Sequence, residues 1–443
     1  MSSSVLTAPP ETAAATPDVQ VVAPRPRPGP ARRSPLTPVV RLPVSLVVLL
    51  GALTAVPSLS LDFYLPGLPD IQRETGATQA VAQLTITGCL VGFALGLLVA
   101  GPLSDAYGRR RPLLVGIGVY TAATLACAFA PTIESLIALR MLQGAAGAFG
   151  MVTGSAIVRD RATGAAAARL FAVLMLANGA APILGPVLGG QLLLLTNWRG
   201  LFVVLAVVGT LTFVASLRRL PETLPLRNRR TASVADARRS FAGLLRDRVY
   251  VGYTLGRALG AAALLAYVSA SPFVFQGIYG LSAQQFSLVF GANSAGLIFM
   301  GQVGGRLVHR VGPARLLLAG MTVCVAGSVW LVLALLVHAP LALVLPGVFA
   351  VVSGMGLVFP NSTALGLSRH GSNAGAATAL MGVVQFGLQA VASPLTGLGS
   401  STSALPMAVV VLVLDVAGLV ALLILTRERT PVAGRPDLLM QPA

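Results

Sequence analysis

The sequence contains twelve apolar runs, each about long enough to cross a bilayer. A hydrocarbon core about 30 Å thick requires roughly 20 apolar residues in a helix, and the chain is 55% hydrophobic and only 10% charged. Backbone polar groups in lipid must be satisfied within each segment, so the sequence predicts an all-α polytopic membrane protein. The predicted spans are 43–65, 82–103, 112–131, 134–157, 170–195, 200–217, 250–276, 286–308, 314–337, 341–363, 374–398 and 404–426.

The arginines mark one side of the predicted membrane protein. All 31 basic residues are arginine. With both termini on one side, only Arg73 and Arg199 fall in opposite loops, and Arg140 and Arg257 fall within spans. By the positive-inside rule, the arginine-rich side is cytoplasmic, which predicts a multi-pass protein of the cytoplasmic membrane. The net charge of +17 does not indicate a nucleic-acid partner, because the arginines sit between apolar runs.

A long connection divides the predicted spans into six and six. It covers residues 218–249 and carries nine arginines. Shifted copies of short motifs support two parallel repeats with a site between them. The predicted parts are a disordered cytoplasmic tail (1–40), an amino-terminal six-helix bundle (41–217), a cytoplasmic linker (218–249), a carboxyl-terminal six-helix bundle (250–426) and a cytoplasmic tail (427–443). The repeated positions are Gly305, Leu307, Gly312 and Arg315 over Gly101, Leu103, Gly108 and Arg111, and Pro394 and Gly397 over Pro186 and Gly189.

Signatures of enzymes and of metal or nucleotide sites are absent from the sequence. It contains no Gly-x-Ser-x-Gly nucleophile elbow, no phosphate-binding Walker loop and no paired-histidine metal motif. We therefore expect no enzyme activity, no cofactor and no metal. Without an ATP site, transport would have to draw its energy from an ion gradient.

Four charged residues lie at least three residues inside the ends of the predicted spans, where a charge is costly and usually marks a pathway or a relay. Asp62 lies about 5 Å and Arg140 roughly 10 Å from the outer ends of their helices at 1.5 Å per residue. These depths predict that the two meet. Because burial and a nearby guanidinium act in opposite directions on the proton affinity of a carboxylate, Asp62 is predicted to carry the coupling proton. The alternative is that Asp62 lies above the hydrocarbon and caps the helix end. Arg257 and Asp415, roughly 12 and 16 Å from the inner ends, are predicted to form a buried ion pair. Alternatively, Arg257 snorkels to the inner surface and Asp415 turns to a polar neighbour.

The loop after the second span reads Gly-Pro-Leu-Ser-Asp-Ala-Tyr-Gly-Arg-Arg-Arg over residues 101–111. It resembles the signature loop of the major facilitator superfamily, with Ala106 where a basic residue is usual. The resemblance implies a gating latch made by Asp105, Gly108, Arg109 and Arg111, with Asp105 against a helix of the other half. The alternative is that the arginines only orient the loop.

Two further motifs fit the same family. The fourth span carries Arg140 and Gln143 in a pattern similar to a second family motif. The fifth span carries Pro-Ile-Leu-Gly-Pro-Val-Leu-Gly-Gly over residues 182–190, which resembles the motif of the family's antiporters. That resemblance implies a gating role for Gly185, Pro186, Gly189 and Gly190. The alternative is ordinary close packing of small residues between helices.

The outer end of the first span carries the most specific resemblance. Leu-Asp-Phe-Tyr-Leu-Pro-Gly-Leu-Pro over residues 61–69 is similar to the bicyclomycin-resistance (Bcr/CflA) branch of the drug/proton antiporters. Further matches are Arg159-Asp160, Asn197-Trp198-Arg199, Ser271-Pro272-Phe273, Gln284-Gln285-Phe286-Ser287 and Phe359-Pro360-Asn361. The resemblance implies a monomer that exports small drug-like molecules in exchange for protons by alternating access.

The substrate cavity is predicted to have aromatic walls with a few polar groups, which bind varied amphipathic ligands. Its predicted lining is Tyr64, Gln143, Tyr267, Phe275, Asn293 and Asn361. The expected partners are this small-molecule substrate, protons and membrane lipid. Export of a natural metabolite, such as an amino acid, a small peptide or a self-made antibiotic, is the alternative function. A receptor or sensor without transport, or a membrane enzyme, would need domains or polar clusters that the sequence does not show.

Overall fold

The computed structural model describes residues 43–162, 164–229, 234–370, 373–397 and 403–427, and these residues contain helices and no strand. A 3₁₀ turn, Leu65–Gly67, and a π-helical turn, Phe273–Ile278, accompany the α-helices. The α-helices are α1 (Val44–Asp62), α2 (Leu68–Thr75), α3 (Gln79–Tyr107), α4 (Arg110–Ala128), α5 (Ile133–Arg161), α6 (Gly164–Leu192), α7 (Trp198–Arg219), α8 (Val234–Arg246), α9 (Arg248–Pro272), α10 (Ala283–Val311), α11 (Pro313–Leu336), α12 (Leu341–Ser368), α13 (Ala374–Leu395) and α14 (Leu405–Leu425).

The long helices coincide with the predicted spans. Within the described residues, eleven helices are long and apolar enough to cross a membrane. Helix α6 occupies the position of the fifth predicted span with 29 residues, and its described apolar part is Ile183–Leu192. The predicted all-α polytopic fold is confirmed. The terminal parts predicted as tails, 1–40 and most of 427–443, lie outside the described residues.

The first predicted span is shorter than expected at its carboxyl end. Helix α1 ends at Asp62 rather than at residue 65, and the chain then forms the 3₁₀ turn and the short helix α2. Pro66 and Pro69 are the second residues of these two elements, in the first turn, where proline is tolerated because its missing N–H would lack a partner anyway. These prolines make the chain turn at this end of the bundle.

Two sets of helices pack side by side. We call α1 and α3–α7 the amino half and α9–α14 the carboxyl half. Within the amino half, α5 packs against α1, α3 and α4, and within the carboxyl half, α9 packs against α12, α13 and α14. Contacts of α3 with α13 and of α6 with α10 join the halves, and residues from Val40 onward form one unit. The division of this unit into separate bundles stays a prediction.

The two ends of the helices differ in charge. The arginine-rich end holds the α3–α4 connection, the linker helix α8 and the start of α9, whereas the arginine-poor end holds the 3₁₀ turn, α2 and the start of α10. Helices α3 and α5 approach closely between these ends. A Cβ added at Gly92 would lie 1.9 Å from Met141 O, and one added at Gly144 would lie 1.9 Å from Cys89 O. Glycine at both positions lets the two backbones touch, which brings Arg140 of α5 against α3.

Candidate functional site

Arg140 is completely buried in the amino half. Its Nη1 donates to Ser60 O at 3.0 Å and to Gln143 Oε1 at 2.6 Å, and its Nε donates to Thr85 O at 3.4 Å. The guanidinium carbon lies 4.3 Å from the centroid of the Tyr64 ring. Backbone oxygens and an aromatic face therefore replace water around this cation.

The polar groups around Arg140 hold one another in place. Gln143 Nε2 donates to Thr124 Oγ1 at 2.7 Å, and the hydroxyls of Tyr64 and Thr85 lie 2.9 Å apart. The hydroxyls of Ser60 and Tyr120 also share a hydrogen bond. Arg140 Nη2, by contrast, is buried and has no hydrogen-bond partner among the described residues. The network fixes the guanidinium and leaves one of its nitrogens unused.

Asp62 lies at the end of α1, two residues beyond Ser60, and Arg140 acts on it electrostatically. The described residues provide no hydrogen bond or ion pair to its carboxylate. A Cβ added at Gly185 would lie 3.0 Å from Asp62 Cβ, so α6 passes directly beside this carboxylate. The structure thus brings Asp62 and Arg140 into the same region, as predicted, but without a direct bond. The role of Asp62 as proton carrier stays a prediction.

The predicted ion pair between Arg257 and Asp415 is wrong. Arg257 Nε donates to Gln385 Oε1 at 3.0 Å, and its Nη1 donates to Phe359 O at 3.0 Å and to Thr363 Oγ1 at 2.5 Å. Among the described residues, neither carboxylate oxygen of Asp415 accepts a hydrogen bond. Arg257 therefore faces α12 and α13, whereas Asp415 is fully buried in α14.

Arg257 and Asp415 do not pair because their side chains point in different directions around their helices, although their depths along the helices are similar. Gly256, the residue before Arg257, faces α14, since a Cβ added there would lie 2.4 Å from Leu422 Cγ. Successive residues of an α-helix point about 100° apart, so Arg257 turns away from α14. Asp415 lies beside Ser328, whose hydroxyl donates to Val325 O at 3.0 Å.

The six residues predicted to line the substrate cavity are all buried, and Tyr64, Tyr267 and Phe275 belong to one buried apolar cluster. Tyr64 and Gln143 belong to the Arg140 network. Tyr267 accepts a hydrogen bond from Asn293 Nδ2 at 3.0 Å and packs with Phe275 at a ring distance of 6.4 Å.

Asn361 is the isolated member of the set. Its Nδ2 donates to Leu357 O of its own helix at 2.7 Å. The hydrogen bonds of the six residues lie in different parts of the described structure, and a shared lining stays a prediction.

The signature loop binds within the amino half and to the start of the linker. Arg109 is buried and donates to Asp105 Oδ1 at 2.5 Å and to Asp160 Oδ2 at 3.0 Å. Glu222 accepts from the backbone N–H groups of Arg109 at 2.8 Å and Arg110 at 3.3 Å. Among the described residues, Asp105 forms no hydrogen bond or ion pair with the carboxyl half, and the gating latch stays a prediction.

These hydrogen bonds stabilise the ionised form of the Glu222 carboxylate. Burial acts to raise its pKa, but hydrogen bonds from the N–H groups of Leu224, Arg109, Arg110 and Thr223 outweigh it, and the pKa lies below the usual range.

Gly108 and Arg111 occupy the two sides of the same loop. Gly108 has a φ of 90°, which favours glycine, and a Cβ there would lie 2.4 Å from Glu222 Oε2. Arg111 is exposed at the arginine-rich end.

The glycines of α6 lie between the two halves. A Cβ added at Gly189 would lie 2.0 Å from Phe63 O of the amino half, and one at Gly190 would lie 2.1 Å from Ser287 Oγ of the carboxyl half. Gln284 Nε2 of α10 donates to Gly190 O at 2.9 Å. Pro186 is buried in the same segment. The close packing that the sequence offered as an alternative is present, within the amino half at Gly189 and between the halves at Gly190. A gating role stays a prediction.

Hydrogen bonds between the halves gather toward the arginine-poor end in the described residues. Gln83 Nε2, one turn into α3, donates to Ser269 O at 3.2 Å and to Thr396 Oγ1 at 3.0 Å. Gln276 Nε2 donates to Pro66 O at 3.1 Å. Farther toward the arginine-rich end, the contact becomes apolar, as where Phe93 meets Phe386 at a ring distance of 4.8 Å. The arginine-poor end is therefore held shut by polar contacts.

Sequence reasoning missed several of these residues. Gln83, Glu222 and Gln385 each bond across a helix boundary, and nothing in their spacing distinguishes them from other polar residues. A signal did exist for Gln83 and Gln385, because a large amide within an apolar run needs a polar partner.

Membrane-length helices packed in two sets, with charged side chains at membrane depth, define the class of polytopic helical membrane proteins. The chain belongs to the Major Facilitator Superfamily, whose model matches residues 48–394.

The chain is similar in sequence to named transporters and resistance proteins. The chain is 38% identical to the uncharacterized MFS-type transporter YdgK of Bacillus subtilis over 87% of this chain and 96% of that one. It is 28% identical to a bicyclomycin resistance protein homolog of Haemophilus influenzae (82% and 91%) and 31% identical to a chloramphenicol resistance protein of Pseudomonas aeruginosa (64% and 67%). The resemblance to the bicyclomycin-resistance branch is thereby confirmed.

Solved structures show the same fold. A D-xylose-proton symporter superposes with a TM-score of 0.69 at 16% identity, covering 87% of this chain and 97% of that chain. A mutant of the nucleoside transporter NupG gives 0.68 at 12% identity, covering 85% and 98%. At these identities the likeness concerns the fold alone.

Proposed function

We propose that this protein exports small amphipathic, drug-like molecules across the cytoplasmic membrane in exchange for protons, by alternating access. One observation carries the proton coupling. Asp62 has no hydrogen-bond partner among the described residues, and the buried Arg140 acts on it electrostatically while Arg140 Nη2 is unpaired. A carboxylate with this environment gains or loses contact with a fixed cation as its charge changes.

The contacts between the halves support alternating access. If the arginine-rich end is cytoplasmic, the hydrogen bonds of Gln83, Gln276 and Gln284 close the outer end of the path. Asp105 pairs with Arg109 and, among the described residues, forms no hydrogen bond or ion pair with the carboxyl half, which fits a conformation that opens to the cytoplasm. In this mechanism Asp62 takes a proton when the outer end is open and releases it toward the cytoplasm, and the drug travels in the opposite direction.

Drug export draws support from the relatives. Proteins named for resistance to bicyclomycin and to chloramphenicol align over most of their lengths. A drug panel that includes these two compounds, given to an efflux-deficient host that expresses the chain, tests the substrate class. Resistance to none of the drugs, together with export of amino acids or peptides, would favour the metabolite exporter instead.

The coupling is tested with Asp62→Asn in everted membrane vesicles whose lumen is acidified. The wild type should accumulate drug against its gradient, whereas the variant should lose uphill accumulation and retain drug-for-drug exchange. Glu134→Gln, at an exposed carboxylate near the same end, is the matched control and should behave as the wild type. Uphill accumulation at the wild-type rate in Asp62→Asn would reject the coupling role.

A further inference from the structure

Arg257 is a cation at membrane depth whose neighbours in the described structure are neutral. It lies nine residues after Arg248 at the start of α9, about 13 Å along the axis at 1.5 Å per residue. The partners of its guanidinium are an amide, a hydroxyl and a backbone carbonyl. No charged group acts on it within the described residues. Its charge is therefore not compensated by the protein.

The acidic residues at membrane depth are placed elsewhere. Asp415 belongs to α14, and Arg257 points away from that helix. Asp62 lies in the amino half, near the arginine-poor end. An uncompensated charge at such depth is costly and marks a functional site by default. A bound anion would offset the electrostatic cost of this buried charge.

The residues that hold Arg257 lie near the place where the two halves meet. Helix α9 is enclosed by α12, α13 and α14, and Arg257 is only half-buried. Its partners are on α12 and α13, on the side away from α14. Gly382, one turn before Gln385 on α13, faces the amino half, because a Cβ added there would lie 3.2 Å from Leu97 Cδ1 of α3. The half-buried Arg257 therefore bonds to a face of α13 that is turned toward the amino half.

The guanidinium is held so that one nitrogen stays available. Its Nε and Nη1 are engaged by Gln385, Phe359 O and Thr363, and the Phe359 ring lies 4.9 Å from the guanidinium carbon. Nη2 has no hydrogen bond among the described residues and, unlike Arg140 Nη2, it is not enclosed. Two N–H donors on a fixed plane are suited to a carboxylate or a phosphate.

We propose that Arg257 binds an anionic group, a carboxylate or a phosphate, on the transported molecule. Phe359 and Thr363 fix the guanidinium plane, and Gln385 sets the direction of its free edge. This inference rests on the proposed export function and narrows its substrate class to amphipathic molecules that carry a negative charge. An anionic lipid headgroup offers the same chemistry and is distinguished in the experiment.

The test uses a matched pair of fluorescent probes, dansyl-glycine and its neutral amide, dansyl-glycinamide. Binding is measured at equilibrium on the full chain in phosphatidylcholine nanodiscs, with empty nanodiscs subtracted. The wild type should bind the carboxylate about tenfold more tightly than the amide, as one charge-assisted contact provides. Arg257→Gln should bring this ratio close to 1, and Arg257→Lys should retain part of it.

Arg306→Gln is the control, because it removes an exposed positive charge from α10. It should keep the tenfold preference. Equal affinities for the two probes in the wild type, or an unchanged preference in Arg257→Gln, would overturn the proposal. A role confined to holding α9, α12 and α13 together predicts changed thermal stability without changed charge preference, and that result would overturn it as well.

Nanodiscs that also contain phosphatidylglycerol separate the two sources of the anion. An unchanged preference supports the transported molecule as the source, whereas competition by this lipid at Arg257 would assign the site to lipid instead. The equilibrium measurement uses no pH gradient, so the two proposals fail separately. Loss of proton-driven export with the preference retained rejects only the coupling, and loss of the preference with export retained rejects only the subsite.

Discussion

Two arginines lie at membrane depth in the two halves, and their surroundings differ. Arg140 is fully buried and shares its hydrogen bonds among α1, α3 and α5. Arg257 is half-buried, and it has a free Nη2 edge. The same side chain is thus enclosed in one half and accessible in the other.

The difference follows from what each helix presents to the arginine. Gly92 and Gly144 bring α3 and α5 into backbone contact, which places carbonyl oxygens within reach of Arg140 and excludes solvent. Around Arg257, neutral side chains of α12 and α13 provide partners on one edge only. An enclosed cation can set the electrostatics of a nearby carboxylate such as Asp62, whereas an accessible cation can bind a ligand. Under the two proposals, the amino half carries the proton coupling and the carboxyl half binds the anionic group of the substrate.

The largest effect is expected for Arg140→Gln. The substitution removes a charged donor from Ser60 O and Thr85 O and leaves buried acceptors unsatisfied. We expect a loss of about 4 kcal/mol in the free energy of unfolding, since hydrogen bonds to charged groups contribute about 1.5 to 3 kcal/mol each. Thermal melting in detergent and the yield of monodisperse protein measure it. Arg257→Gln, by comparison, should remain folded at near wild-type yield.

The melting temperatures of these two variants test whether the two arginines have different structural roles. If Arg140→Gln and Arg257→Gln lowered the melting temperature equally, the two arginines would have the same structural role. A drug-binding measurement on whichever variants fold would then show whether Arg257 has any separate function.

The next effect concerns the helix contact that encloses Arg140. Gly144→Ala should cost about 1 to 3 kcal/mol, as overpacking of a close contact does, because its Cβ would meet Cys89 O at 1.9 Å and backbone cannot yield easily. Gly260→Ala in α9 is the matched control. Its nearest atom is Met355 Sδ at 3.0 Å, the end of a flexible side chain. Equal melting temperatures for the two variants would contradict this explanation of the enclosed site.

Much of the fold could be predicted from the sequence. Apolar run length fixed the positions of the long helices, and Pro66 and Pro69 explain why α1 ends earlier than its apolar run. The signature loop was predicted from its resemblance, and Gly108 indeed adopts the positive φ that its place in the loop requires. The sequence did not show which helices pack against one another.

The candidate site was predicted less completely for the same reason. Depth along a helix can be read from residue counts, and it placed Asp62 and Arg140 in one region. Which neighbour a side chain faces depends on how the helices are arranged, and residue counts do not show this arrangement. The predicted ion pair was therefore wrong, because Arg257 points away from Asp415. Glu222 was missed because its partners are backbone N–H groups of a loop more than 100 residues earlier.

A smaller effect is expected for Gln385→Leu, which removes the acceptor for Arg257 Nε. The arginine then loses one of the contacts that orient its free edge. We expect the preference for dansyl-glycine over dansyl-glycinamide to fall by about threefold, with the affinity for the amide unchanged, consistent with the loss of about one modest hydrogen bond. Gln389→Leu, on the next turn of α13 and donating to Ala261 O at 3.2 Å, is the control; the same fall in that variant would contradict the orienting role.

The smallest effect is expected for Asp415→Asn. If Asp415 and Arg257 formed an ion pair, removing either partner would cost about 3 to 5 kcal/mol, and the double variant would cost less than the sum. In the structure they do not touch, and Asp415 has no cation among the described residues. Asp415→Asn should therefore change the free energy of unfolding by less than about 1 kcal/mol, and its effect should add to that of Arg257→Gln within about 0.5 kcal/mol. Melting temperatures of the two single variants and the double variant, measured in one detergent, complete the cycle. A double variant clearly more stable than the sum would restore the ion pair, and with it an Arg257 that is compensated by the protein rather than free to bind an anion.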